Sequence, residues 1–211
     1  MDDFMAGLVA DLKPVRPRRP AIEAAVLATL LAAELALWLL TDNARENLAQ
    51  VAMTTPTFWW KLASAGVLTV IGCAAALSSL DPAGSPRRGL IAFGLGCIVF
   101  LIVGAGLDWS LGLTNLAARL PLSGGLECLS YLVPLSLPPL VALGFLMRRG
   151  AATDLPGTAL ACGLAAAGWG AFAFVFTCPH DDPLFVAIWY PIAMAITALL
   201  ARLVLPWVSR W

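Results

Sequence analysis

Charge is scarce in this sequence. Only 12% of its 211 residues are Asp, Glu, Lys or Arg, where a soluble domain carries roughly a quarter. The thirteen basic and thirteen acidic residues cancel, so there is no positive field of the kind that draws nucleic acid. Histidine is nearly missing: His180 stands alone, which excludes a His-rich metal centre and a relay between imidazoles. The five cysteines show neither a CxxC pair nor zinc-finger spacing. No Ser-His-Asp set, phosphate loop, HExxH or dinucleotide fingerprint is present, and enzymatic function has little support. The first apolar run is long and lacks an A-x-A site, which argues against a cleavable signal peptide. No internal repeat is visible.

What is present in excess is apolar surface. Hydrophobic residues make up 60% of the chain and mean hydropathy is +0.86, more than a soluble fold of this size can hide but well suited to a bilayer. Crossing a hydrocarbon core takes about 20 helical residues. Six stretches meet that length, near 20–40, 62–80, 89–107, 128–147, 157–177 and 184–205. The second and third are the shortest. Continuous apolar runs do not alternate as barrel strands do, so the expected fold is all-α, a bundle of six transmembrane helices spanning 20–211. The breaks are turn chemistry: Asp81-Pro82-Ala83-Gly84-Ser85-Pro86, Arg148-Arg149-Gly150 and Cys178-Pro179-His180-Asp181-Asp182-Pro183. Pro134, Pro138 and Pro139 should kink the fourth span. The longer loops near 41–61 and 108–127 have room for short interfacial helices.

Orientation follows from basic residues in alternate loops. Lys13, Arg16, Arg18, Arg19, Arg87, Arg88, Arg148, Arg149, Arg202 and Arg210 fall on one side; only Arg45, Lys61 and Arg119 fall on the other. Ten against three predicts both chain ends in the cytoplasm of a bacterial inner membrane. Trp38, Trp59, Trp60, Trp109 and Trp189 then lie near the outer interface, Trp207 and Trp211 near the inner one, and Trp169 reads as buried.

Depth sorts the cysteines. Cys73, Cys97 and Cys162 fall within spans and read as small packing residues. Cys128, at the start of the fourth span, and Cys178, at the end of the fifth, share the outer side. Such a pair can form a disulfide in an oxidising compartment if it lies close enough. With His180, Asp181, Asp182 and Glu127 nearby, it can also offer thiolate, imidazole and carboxylate to a soft or borderline ion such as zinc or cadmium. A permanent staple or two unpaired cysteines remain alternatives. Glu34, in the outer half of the first span, should face the bundle, because a charged carboxylate facing lipid is costly; polar contact between helices is its simplest role.

Residues 1–19 are the one sizeable cytoplasmic segment. Phe4, Met5, Leu8, Val9 and Leu12 recur at helical spacing, with Asp2, Asp3 and Asp11 off that face. A basic, proline-punctuated tether, Lys13-Pro14-Val15-Arg16-Pro17-Arg18-Arg19-Pro20, leads into the first span. Acids on the polar face would be repelled by anionic headgroups, so the apolar face suits a protein groove better than a membrane surface.

Two blocks carry a family resemblance. Phe4-Met5-Ala6-Gly7-Leu8-Val9-Ala10-Asp11-Leu12-Lys13-Pro14-Val15-Arg16-Pro17 resembles the start of the NrsF-like family. Cys178-Pro179-His180-Asp181-Asp182-Pro183-Leu184-Phe185-Val186-Ala187-Ile188-Trp189-Tyr190 is similar to that family's Cys-Pro-Glu-Asp-Ser-Pro-x-Phe-x-x-x-Trp-Tyr block. The family comprises six-span negative regulators, anti-sigma factors, of extracytoplasmic-function sigma factors. The resemblance implies that residues 1–19 hold such a sigma factor at the membrane. It also implies that a heavy metal or oxidant acting at Cys128 and Cys178 releases it. No resident cofactor and no direct contact with nucleic acid are implied. His180 and Asp182 depart from the family's Glu and Ser, so a metal set of Cys128, Cys178, His180 and Asp181 is an expectation particular to this sequence. A quinone-linked thiol oxidoreductase would want a second, shuttling cysteine pair, and a small transporter would want repeats and more intramembrane charge than Glu34; both fit less well.

Overall fold

The computed structural model describes residues 19–41, 43–111 and 119–209. In chain order its helices are α1 (Pro20–Leu40), α2 (Leu48–Thr54), α3 (Pro56–Ser79), α4 (Pro86–Leu111), α5 (Leu122–Leu135), α6 (Leu137–Arg149), α7 (Leu155–Phe174) and α8 (Pro183–Val208). Among the described residues there is no strand. Six helical segments are long and apolar enough to cross a membrane, with α5 and α6 together forming the fourth. The protein is therefore an all-α, multi-pass membrane bundle. The tether and the apolar face of Phe4, Met5, Leu8, Val9 and Leu12 lie outside the described residues, apart from Arg19 and Pro20.

The expected second and third spans are not the shortest. They run over Pro56–Ser79 and Pro86–Trp109, 24 residues each, whereas the fifth is 20 residues long. Both begin earlier than expected, at a proline. Proline's fixed φ suits the first helical turn, where its missing N–H costs no bond, so Pro56 and Pro86 start helices rather than only ending loops. The fourth span breaks where proline chemistry predicts. Pro138 and Pro139 cannot donate to the turn before them, and the helix divides at Ser136, whose hydroxyl donates to the Leu132 carbonyl at 2.9 Å. The long first loop does hold a short helix, α2.

The fifth span is the hub. Of its most apolar stretch, 78% is buried, and α7 touches α3, α4, α5, α6 and α8. Small residues permit this: Ala165, Ala166, Ala167 and Gly168 are all buried, and helices meeting through Gly and Ala can bring their backbones together. Gly163 shows how closely. A Cβ there would stand 2.6 Å from the Ala201 Cβ and 2.8 Å from the Ala198 Cα on α8. The first span is the opposite case, with only 11% of its apolar stretch buried and Leu27 and Leu31 as its buried residues.

Six crossings alternate between two ends. At the arginine end, the loop after α3 joins the loop after α6 through the Ala151 amide and the Leu80 carbonyl, 3.1 Å apart; Arg87, Arg88, Arg148 and Arg149 are exposed here. The thiol end gathers residues 43–55, 119–121 and 175–182.

Candidate functional site

The turn between α7 and α8 organises the thiol end. As α7 unwinds after Phe174, the Cys178 amide still donates to the Phe174 carbonyl at 2.9 Å, which tucks the cysteine beneath the turn. Asp182 then caps α8, its carboxylate accepting from the Leu184 and Phe185 amides at 2.8 and 3.2 Å. An aspartate at this position satisfies helix-end donors that have no partner of their own. Between these two local structures lie His180 and Asp181.

Each acid of the turn is met by cations from distant parts of the chain. Asp181 accepts from Arg45 Nη1 at 2.8 Å and from Lys61 Nζ at 3.0 Å. Lys61, in the second turn of α3, is only 1% exposed; its ammonium also donates to the His180 carbonyl at 3.0 Å. Asp182 takes a two-pronged contact from Arg119, at 2.7 Å from Nε and 2.8 Å from Nη2. The same guanidinium bonds Asp108, near the end of α4. The Asp182 and Asp108 hydrogen bonds hold Arg119 protonated well above its ordinary range. Burial acts to raise the Asp182 pKa, but the bonds from Arg119 and from the Phe185 and Leu184 amides outweigh it and leave the carboxyl below its usual range.

Beneath this charged layer lie the two thiols. Cys128 and Cys178 are 2% and 0% exposed, respectively, and both are unbridged. They lie within electrostatic reach of each other, and Cys128 also senses Lys61 and Glu127. The fully buried Tyr190 lies beside Cys178, although its hydroxyl makes no hydrogen bond of acceptable geometry. A cavity of about 240 Å³ opens onto Cys128 and is bounded by Asn43, Glu127, Tyr131, Thr177 and His180 among others. The His180 ring stacks on Phe185, with centroids 4.2 Å apart, and sits over Gly124. At Gly125 the Trp189 indole passes so close that any Cβ would stand 2.0 Å from it.

The expected site residues thus divide. Cys128, Cys178 and His180 gather around one end of α5, although Cys128 lies deeper than the expected start of the span, because the helix begins at Leu122. Asp181 turns to Arg45 and Lys61. Among the described residues, no three His, Cys, Asp or Glu side chains converge as an ion-binding group in this arrangement. Cys73 and Cys97 are half-buried within spans, and Cys162 is buried. Glu34 does face the bundle, accepting from the Trp169 indole at 3.0 Å, and Trp169 is buried as expected. Trp60 turns inward, stacked on Phe100 at 4.5 Å.

Arg45, Lys61 and Arg119 did not emerge from the sequence as site residues, because each served only as a loop charge in the topology count. The signal was there: the side poor in cations carries three of them, and Asp108, Asp181 and Asp182 fall on that same side.

Comparison with known proteins gives a consistent assignment. Residues 8–211 match the family described as NrsF, negative regulator of sigma F. A relative named anti-sigma-F factor NrsF, from Caulobacter vibrioides (strain NA1000 / CB15N), is 34% identical over 220 aligned positions, covering 100% of this chain and 99% of that protein. No solved structure matches.

Proposed function

Because the chain belongs to the NrsF family of negative regulators of sigma F, we propose that it is a membrane-bound anti-sigma factor for a sigma factor of the extracytoplasmic-function type. The basic-residue count supports a bacterial inner-membrane location with both chain ends in the cytoplasm, the arginine end inward and the thiol end outward. In this reading residues 1–19 form the capture segment, with Phe4, Met5, Leu8, Val9 and Leu12 entering an apolar groove on the sigma factor. Residues 20–211 form the membrane domain that holds the segment in place. The protein works by binding and release, without turnover.

The observation that supports the sensing half of the reading is that Cys128 and Cys178, remote in sequence, are both buried at the same end of the bundle, within electrostatic reach of each other. A soft ion would displace the two thiol protons and bind both sulfurs. His180, on the same cavity as Cys128, would be a further donor; Asp181 would first have to leave Arg45 and Lys61. An oxidant such as diamide would instead join the sulfurs, taking up two electrons and the two thiol protons as it is reduced to its hydrazine. Either event must rearrange a closely packed turn.

The test is co-purification of the full chain with its co-expressed sigma factor. Capture is expected in unstressed membranes, loss of capture on deletion of residues 1–15, and cadmium-driven release that Cys128→Ser or Cys178→Ser abolishes. Capture that survives the deletion would remove the role of the segment. Release unchanged in both serine variants would remove the thiol sensor.

A further inference from the structure

The first span is the element that continues directly into residues 1–19, and it is also the span least held by packing. Its side chains pack chiefly on α6 and α3; its hydrogen bonds to the rest of the bundle, apart from the mid-span Glu34–Trp169 bond, lie at the thiol end. The Trp38 indole donates to the Thr177 hydroxyl at 2.9 Å. Just past the helix, the Arg45 amide donates to the Phe176 carbonyl at 3.0 Å. Its guanidinium reaches the Cys178 carbonyl at 3.1 Å and the Asp181 carboxylate at 2.8 Å. The anchoring points therefore sit on both sides of Cys178 as well as on its own carbonyl. The Trp38 ring also meets Tyr131 edge-on at 6.3 Å, and Tyr131 lies with Cys128 on the same cavity wall.

We propose that Trp38 and Arg45 are positioning residues that clamp the first span to the turn carrying Cys178, and that an event at that thiol loosens the clamp and moves the span. This rests on the thiol-sensing reading above and supplies its route to the opposite face. Cys178 has no exposed surface, so adding to its sulfur must displace part of its surroundings, of which residues 176–181 are the irregular backbone. Those residues are the ones that α1 grips. The turn is irregular backbone, softer than the helices it joins, whereas α1, at 21 residues, is a rod about 30 Å long that carries a displacement from one face to the other. Few packed side chains oppose the motion, because α1 buries only Leu27 and Leu31 along its length.

Trp38→Phe and Thr177→Val each remove the indole–hydroxyl bond while keeping the shape of the site. In the full chain, co-expressed with its sigma factor, each is expected to lower the cadmium chloride dose for half release about fivefold, the equilibrium effect of one hydrogen bond. The double variant should go no further than either single one. Coupling is reciprocal, so cadmium should also protect Cys128 and Cys178 from a thiol-labelling reagent at a correspondingly lower dose. A purely structural role would not move that protection. If Thr177→Val reaches normal membrane levels and leaves both doses unchanged, the clamp is overturned while thiol sensing stands. If cadmium releases the sigma factor equally well from Cys128→Ser and Cys178→Ser chains, the sensor fails and the clamp fails with it.

Discussion

The fifth and first spans are nearly equal in length, at 20 and 21 residues, yet 78% of one and 11% of the other is buried in its most apolar stretch. Hydrophobicity does not separate them, since both are apolar enough to cross a bilayer. Glycine does: each span carries seven alanines, but α7 has four glycines and α1 none. α7 brings Gly and Ala to its neighbours and gains contact through backbone proximity; α1 turns most of its surface outward, burying only Leu27 and Leu31 and adding polar bonds from Glu34, Trp38 and the following loop. In a membrane, lipid satisfies an apolar face as well as protein does, so burial reports packing rather than hydrophobic drive. The lesson is a division of labour: one span fixes the bundle, and another is tethered to it.

The comparison is broken most severely by removing the charge shared by Arg45, just past α1, and Lys61 on α3. Asp181→Asn leaves Lys61 buried without an anionic partner, a change that costs about 3–5 kcal/mol for a buried pair; a large fall in the thermal midpoint of the detergent-solubilised protein would show it. Next comes the hub itself. Gly163→Val forces a branched side chain between α7 and α8 and should cost about 1–3 kcal/mol, read in the same melt, whereas Ile22→Ala on the exposed face of α1 should change stability by under about 0.5 kcal/mol.

Asp182→Asn sharpens the comparison through pH. A carboxyl whose folded pKa is depressed stabilises the fold above its unfolded pKa, near the ordinary value of 3.8. That contribution is lost as pH falls through the lower, folded pKa. The wild-type melt should therefore drop as pH is lowered below about 4, and the Asn variant should show a shallower slope there. A modest effect, larger only than that of Ile22→Ala, is expected from Trp169→Phe, which takes the indole from Glu34 and should cost about 1 kcal/mol.

The six crossings, the loop chemistry and the break near Pro138 were legible in the sequence because they depend on local properties: run length, proline and charge. The starts of α3 and α4 were not, because a proline can end one helix or open the next and only the following residues' contacts decide. The thiol end was half legible. Cys128, Cys178 and His180 could be placed on one side by counting spans, but the attachment of Arg45 and Lys61 to Asp181, and of Arg119 to Asp182, depends on how separate loops meet. The three cations on a side that also carries Asp108, Asp181 and Asp182 pointed toward such pairing without saying which residue takes which. Trp38 read only as an outer-interface aromatic, and neither Tyr131 nor Tyr190 had a local pattern that would assign it a place; only packing brings them near the thiols.

The bond between the Arg45 amide and the Phe176 carbonyl belongs to the main chain, so replacing side chains leaves it standing, with proline at 45 the exception. Single substitutions around the turn should consequently yield a family of dimmed or sensitised responses, with a graded threshold across alleles. Arg45→Pro would remove that amide together with the guanidinium contacts, leaving the Trp38–Thr177 bond as the clamp's remaining link.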